Sequence, residues 1–168
     1  MMAWTLPDPS PAPPVLGDPA SLSALALALR CSAVVIERAV ADLDPSAMTS
    51  RRHATRARAV VRDTSALTTS MSRTASAVAD HAGELADAVG MAARIVDRAR
   101  SAGLVVDGAS ILPGPGVRGV ADAESENSRT EAQHRLQQVL GAVLLDLDTA
   151  RRRLRAELAT ERRAIRNR

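Results

Sequence analysis

The chain contains no lysine, no phenylalanine and no tyrosine, and it has a single tryptophan, Trp4, and a single cysteine, Cys31. A globular enzyme of 168 residues ordinarily packs several large rings. Their absence points to a core of Ala, Leu and Val, which suits helices lying side by side. Because lysine is missing, all 22 basic residues are arginine, so a net charge of only +3 yields a pI near 10.7. Abundant Ala and Arg without Lys is a high-GC composition, and an arginine here is no sign of function by itself. One cysteine excludes an internal disulfide, and Cys31 reads as a small buried or half-buried side chain. No run reaches the roughly 18 apolar residues of a membrane span. Residues 1–14 lack the basic start and apolar centre of a signal peptide. The expectation is a soluble chain of one domain without a transmembrane segment, cytoplasmic or secreted without a cleavable signal peptide.

What the sequence does contain is helical periodicity. Pro7, Pro9, Pro11, Pro13 and Pro14 make residues 1–17 a proline-rich flexible tail, with Trp4 loose or docked on its own chain. Asp18-Pro19 is a capping side chain followed by proline at the first helical position, and Leu22, Leu25, Leu29, Ala33, Ile36, Val40 and Leu43 form one stripe. Asp44-Pro45 repeats the signal, so the helices are predicted at about 18–44 and 45–102, joined by a tight corner and antiparallel. The second carries a long seam of small and apolar residues, Ala57, Val60, Leu67, Met71, Val78, Ala82, Leu85, Val89, Ala92 and Ile95 among them, in steps of three and four. Gly83 and Gly90 mark either a bend or close crossing or simply tolerated glycines, and Gly103 is a natural stop.

Residues 103–120 form a loop in which Val105 to Leu112 reads as a small hairpin turning at Asp107-Gly108. A third helix, about 121–166, follows with acidic first turns and an arginine-rich end. The predicted fold is all-α: an elongated antiparallel three-helix bundle or coiled coil with a short β-hairpin insertion, spanning 18–168 as a single helical domain. Its return would bring Arg151, Arg152 and Arg153 toward Arg51 and Arg52, an anion-binding candidate for nucleic acid or an anionic surface. Solvated arginines whose stems cover apolar surface are the plainer reading of the same residues.

Catalytic chemistry finds little support. His53, His81 and His134 lie apart, without metal-ligating spacing to another His, Cys or suitable carboxylate. No nucleophile elbow occurs, and Gly114-Pro115-Gly116 lacks the lysine and hydroxyl of a phosphate loop. The expectation is a non-enzyme without cofactor or metal. The part of the central seam that the short first helix leaves uncovered, Val78, Leu85, Val89 and Ile95, is the predicted partner-binding surface.

Leu16-Gly17-Asp18-Pro19-Ala20-Ser21-Leu22 opening an Ala/Leu/Arg-rich helix, the corner at Leu43-Asp44-Pro45, the segment Leu85 to Val106 and the returning third helix resemble the helical-hairpin proteins of type VII secretion systems, the WxG-type superfamily of substrates and secretion-signal domains. The corner carries no Trp-x-Gly, and without tyrosine there is no Tyr-x-x-x-Asp/Glu export motif. The resemblance implies a non-catalytic interaction module, an adaptor, partner or substrate-like protein whose partner is another helical protein or a second copy. The alternative is a basic helical protein binding nucleic acid or an anionic surface through its arginine-rich end.

Overall fold

The computed structural model describes residues 11–114 and 123–167. Among them are three helices, α1 (Pro19–Ala41), α2 (Arg51–Ser101) and α3 (Ala123–Arg166), and two short strands, β1 (Leu104–Asp107) and β2 (Ser110–Pro113). The structure is predominantly helical with one antiparallel two-stranded sheet. It divides into two compact units. One joins the described part of Met1–Gly17 to Ala86–Asp148, and the other joins Asp18–Leu85 to Thr149–Arg168.

α1 starts where Asp18-Pro19 places it. Asp18 Oδ1 accepts from the Ala20 N–H at 3.0 Å and the other carboxylate oxygen accepts from the Ser21 hydroxyl, which satisfies an otherwise unpaired donor of the first turn. Those bonds, the Ser21 hydroxyl foremost, hold the Asp18 carboxyl below its ordinary pKa. The repeat of this signal behaves differently. Asp44 Oδ1 accepts from the Ser46 N–H at 2.8 Å and from its hydroxyl, but the bonds close a turn instead of opening a helix. α2 begins only at Arg51, where the Ser50 carbonyl accepts the first helical bond from the Ala54 N–H at 2.9 Å. An Asx turn and a capped helix start share the same local hydrogen bonds, so the sequence signal is common to both.

In the α1 unit, α3 runs back along α2. Arg153 pairs with Glu84, and Glu161 accepts from the Ser70 hydroxyl at 2.6 Å, so the contacts step in opposite directions along the two helices. Arg73 lies 3.7 Å from the same Glu161 carboxylate. Gly83 and Gly90 do not mark a close crossing: a Cβ at Gly83 would meet nothing within 4 Å, and one at Gly90 only the Arg94 guanidinium at 3.8 Å.

The hairpin unit has its own core of Ile95, Ala99, Leu104, Val106, Ile111 and Leu140, flanked by Val96, Ala102, Leu136, Val143 and Leu144. α2 ends at Ser101, and two residues on Gly103, with a φ of 69°, is the left-handed stop that a side chain would strain. Asp107 pairs with Ser110, which leaves Gly108-Ala109 as the two-residue loop, one position later than the Asp-Gly reading. Gly108 alone there has positive φ, 55°, as the first position of a II′ turn requires. Two strands are too few to stand alone. α3 supplies what they lack: Gln137 Oε1 accepts from the Ile111 N–H at 2.8 Å, and the Gln133 and Gln137 amides donate to the Ile111 and Ala109 carbonyls at 2.7 and 2.8 Å. These bonds occupy the outer edge of β2 that would otherwise face solvent unpaired.

The proline-rich segment is tied down over its described part. The Ala12 N–H donates to Asp107 Oδ1 at 3.0 Å, and the Gly108 N–H donates to the Ala12 carbonyl at 2.9 Å. The hairpin turn thus offers Ala12, in the segment expected to be a flexible tail, a donor and an acceptor. Trp4 lies outside the described residues.

Candidate functional site

The predicted partner seam is interior. Val78, Leu85 and Ile95 are 5%, 3% and 3% exposed in the single chain, so they are core residues and not a free surface. The correction has a simple cause: a seam on a central helix looks alike in sequence whether another segment of the same chain or another molecule covers it. Val89 is half-buried and lines an apolar recess of about 540 Å³ in the hairpin unit, walled by residues 11–15, Ala92, Val96 and β1.

The predicted arginine cluster is not assembled either. Arg153 sits opposite Glu84 on α2, whereas Arg51 and Arg52 lie more than 30 residues earlier on that helix, roughly 50 Å at about 1.5 Å per residue. The α3 end comes alongside Arg62, Leu67 and Ser70, well short of the α2 start. Arg151 and Arg152 are exposed and engaged in interactions of their own. Five arginines spread over this distance, with Arg153 paired to Glu84, do not make one phosphate-sized site.

His81 is buried, and among the described residues its Nδ1 is the buried side-chain polar atom without a hydrogen-bond partner. Glu84, one turn on, lies 3.9 Å away, a juxtaposition the sequence reading overlooked. Burial first, then the nearby Arg151 and Arg153 guanidiniums, push its pKa below the ordinary value. The unfolded chain therefore binds more protons at His81 than the folded one just below pH 6.5 or so. Stability is then full above that pH and falls as the solution is acidified through it. Urea unfolding at pH 7.5 and 5.5 is expected to show this loss, and His81→Leu to flatten it. Asp18 and Asp44, whose pKa values are lowered, keep their contribution to stability above about pH 4 and lose it only as the pH falls further and they protonate. No group of three His, Cys, Asp or Glu able to hold a metal occurs among the described residues.

The surface that stands out is one the sequence reading passed over. α1 buries Ala26 and Ala33, each 2% exposed, with Leu22, Leu29, Ile36 and Val40 half-buried on the same stripe. Its opposite side is apolar too. Leu27, Val34 and Val35 are 62%, 57% and 66% exposed, with Ala24, Ala28 and Cys31 exposed between them. Residues 24, 27, 28, 31, 34 and 35 recur at steps of three and four, so they share one face. Cys31, expected buried or half-buried, lies in the middle of that face and is exposed. The signal was in the sequence: Ala24 to Ile36 holds only one charged residue, Arg30, so apolar residues populate both sides of the helix. α1 is also long and apolar enough to cross a membrane by length and composition, although Arg30 interrupts its apolar run. Neither a protein-family model, nor a curated protein, nor a solved structure matches the chain.

Proposed function

We propose that the chain is a non-catalytic protein-interaction module, an adaptor, partner or substrate-like protein of a type VII-like secretion system, acting in the cytoplasm or exported without a cleavable signal peptide. In this reading the three helices form an antiparallel bundle that presents one helix for association. The observation that carries it is the outward face of α1, where three large aliphatic side chains more than half exposed line one side of a 23-residue helix. A face of this kind marks an interaction surface more often than a solvated one.

Light scattering of the purified chain, alone and mixed with any small helical protein encoded beside its gene, tests the reading. A stable assembly of either kind supports it, as does export that depends on a type VII-like secretion ATPase. A monomer at every concentration, indifferent to any such helical protein and not exported through such an ATPase, overturns it. The rival reading, a nucleic-acid or anionic-surface binder, gains nothing from the separated arginines, and salt-sensitive binding lost in an Arg151→Gln, Arg152→Gln, Arg153→Gln variant would be needed to revive it.

A further inference from the structure

The hairpin turn holds more than its own two strands. Asp107 Oδ1 accepts from the Ala12 N–H at 3.0 Å and the Gly108 N–H donates to the Ala12 carbonyl at 2.9 Å, so one carboxylate and one amide take up both backbone groups of a single residue. The same segment also borders apolar surface. Residues 11–15, the half-buried Val89 and Val96, the buried Ala92 and β1 wall the recess of about 540 Å³. We infer that this corner of the hairpin unit is a docking site for an extended, proline-containing peptide segment, occupied in cis by residues 11–15 and open to a like segment of another polypeptide when they lift off. The inference goes beyond the interaction reading above, which rests on α1.

Three observations select this occupant. The first is the pair of bonds. A residue inside a helix uses its N–H and carbonyl within that helix, and a lipid chain offers neither group, whereas an extended residue presents both to its surroundings. An acceptor on Asp107 and a donor on Gly108 therefore suit an extended backbone. The second is the sequence of the segment seated there. Pro11, Pro13 and Pro14 fix their own φ, and Pro13 biases Ala12 toward extended backbone, so Ala12 favours that form before it docks. A segment of this kind loses little conformational freedom on binding, which is why proline-rich ligands suit apolar grooves. The third is how lightly residues 11–15 are held. Among the described residues both of their hydrogen bonds fall on Ala12; Pro11, Ala12 and Pro13 are exposed, and Pro14 and Val15 are only half-buried. Exposed bonds contribute little net stability. The core cluster of Ile95, Leu104, Ile111 and Leu140 includes none of residues 11–15, so the segment can leave while that core stays closed.

The test uses the full chain. Ala12→Pro removes the donating N–H, leaves Asp107 and the apolar seat intact and lies outside the helices, so circular dichroism should not change. Amide exchange followed by NMR should show the Gly108 N–H exchanging at least about tenfold faster in this variant, with the Ile111 N–H, bonded to Gln137, unaffected. The probe is a fluorescently labelled synthetic peptide of residues 9–17. On the native chain it competes with a segment at roughly millimolar effective concentration, so it should bind the Ala12→Pro chain at least about tenfold more tightly than the native one. Adding Val89→Asp or Asp107→Ala to Ala12→Pro should abolish that binding, whereas Asp107→Asn, which keeps the acceptor oxygen, should preserve it. A Gly108 amide indifferent to Ala12→Pro, or an Ala12→Pro chain that does not take up the peptide, overturns the proposal. So does peptide binding that survives both Val89→Asp and Asp107→Ala, which places the peptide elsewhere. Self-association of the Ala12→Pro chain that is lost with Val89→Asp and not displaced by the peptide assigns the seat to a second copy, and also overturns it.

Discussion

Leu85→Asp is expected to cost about 3–5 kcal/mol of folding stability, because it places an unpaired carboxylate where the native side chain is 3% exposed. Against the roughly 5–15 kcal/mol that holds a typical domain together, that loss is enough to unfold a large fraction of the molecules. A urea titration followed by far-UV circular dichroism checks it. The control is Val89→Asp, at the half-buried margin of the apolar recess, where the new charge keeps access to water and the cost is about 1 kcal/mol or less. The pair separates two accounts of the seam. If Leu85 faced a partner molecule, the variant would keep its unfolding midpoint and lose only association, so an unchanged midpoint would reinstate the surface that the burial removes.

Leu140→Ala should cost about 3 kcal/mol, the middle of the range for truncating a fully buried leucine. Leu140 has no exposed surface and packs in the cluster with Ile95, Ala99, Leu104, Val106 and Ile111, where a helix, the end of another and the hairpin all meet. Few of its neighbours can move inward to close the cavity, since three sit on a strand pair whose edge is bonded to Gln133 and Gln137. Leu140→Met, similar in volume, should cost less than about 1.5 kcal/mol. Denaturant midpoints of the two variants give both numbers. Equal midpoints would mean the cluster relaxes freely around position 140.

Helices and their ends were largely legible. Asp18-Pro19 and Gly103 act through local hydrogen bonds and local backbone geometry, so a few residues suffice to announce them. Asp44-Pro45 misled for the same reason: its carboxylate makes the same kind of bonds to Ser46, and whether a helix follows depends on what comes after. The covering of each apolar stripe was not legible. Periodicity states that Val78, Leu85 and Ile95 share a side of α2, but which segment covers that side is decided by residues far away in the chain. α1 shows the converse. Its inner stripe was read at Leu22, Leu29, Ala33, Ile36 and Val40, while Leu25 is half exposed and the buried Ala26 was passed over, and the reading stopped there, although Leu27, Val34 and Val35 stand on the other side at the same spacing. The arginine cluster failed on length: among the described residues the end of α3 lines a recess with α2 residues from Arg62 onward, and Arg51 and Arg52 lie about three turns earlier.

The glutamine bonds to the hairpin also set an order of events in time. Ile111 exchanges its hydrogen bonds with residues 22 and 26 positions later in the chain, so the edge of β2 stays open until that much more polypeptide has been made and has formed helix. A two-stranded hairpin forms in microseconds but holds poorly alone, so its persistence waits on the arrival of α3. The Ile111 amide thereby serves as a clock for the molecule: it becomes protected from hydrogen exchange only when α3 docks, and it is among the first to be released when α3 lifts away.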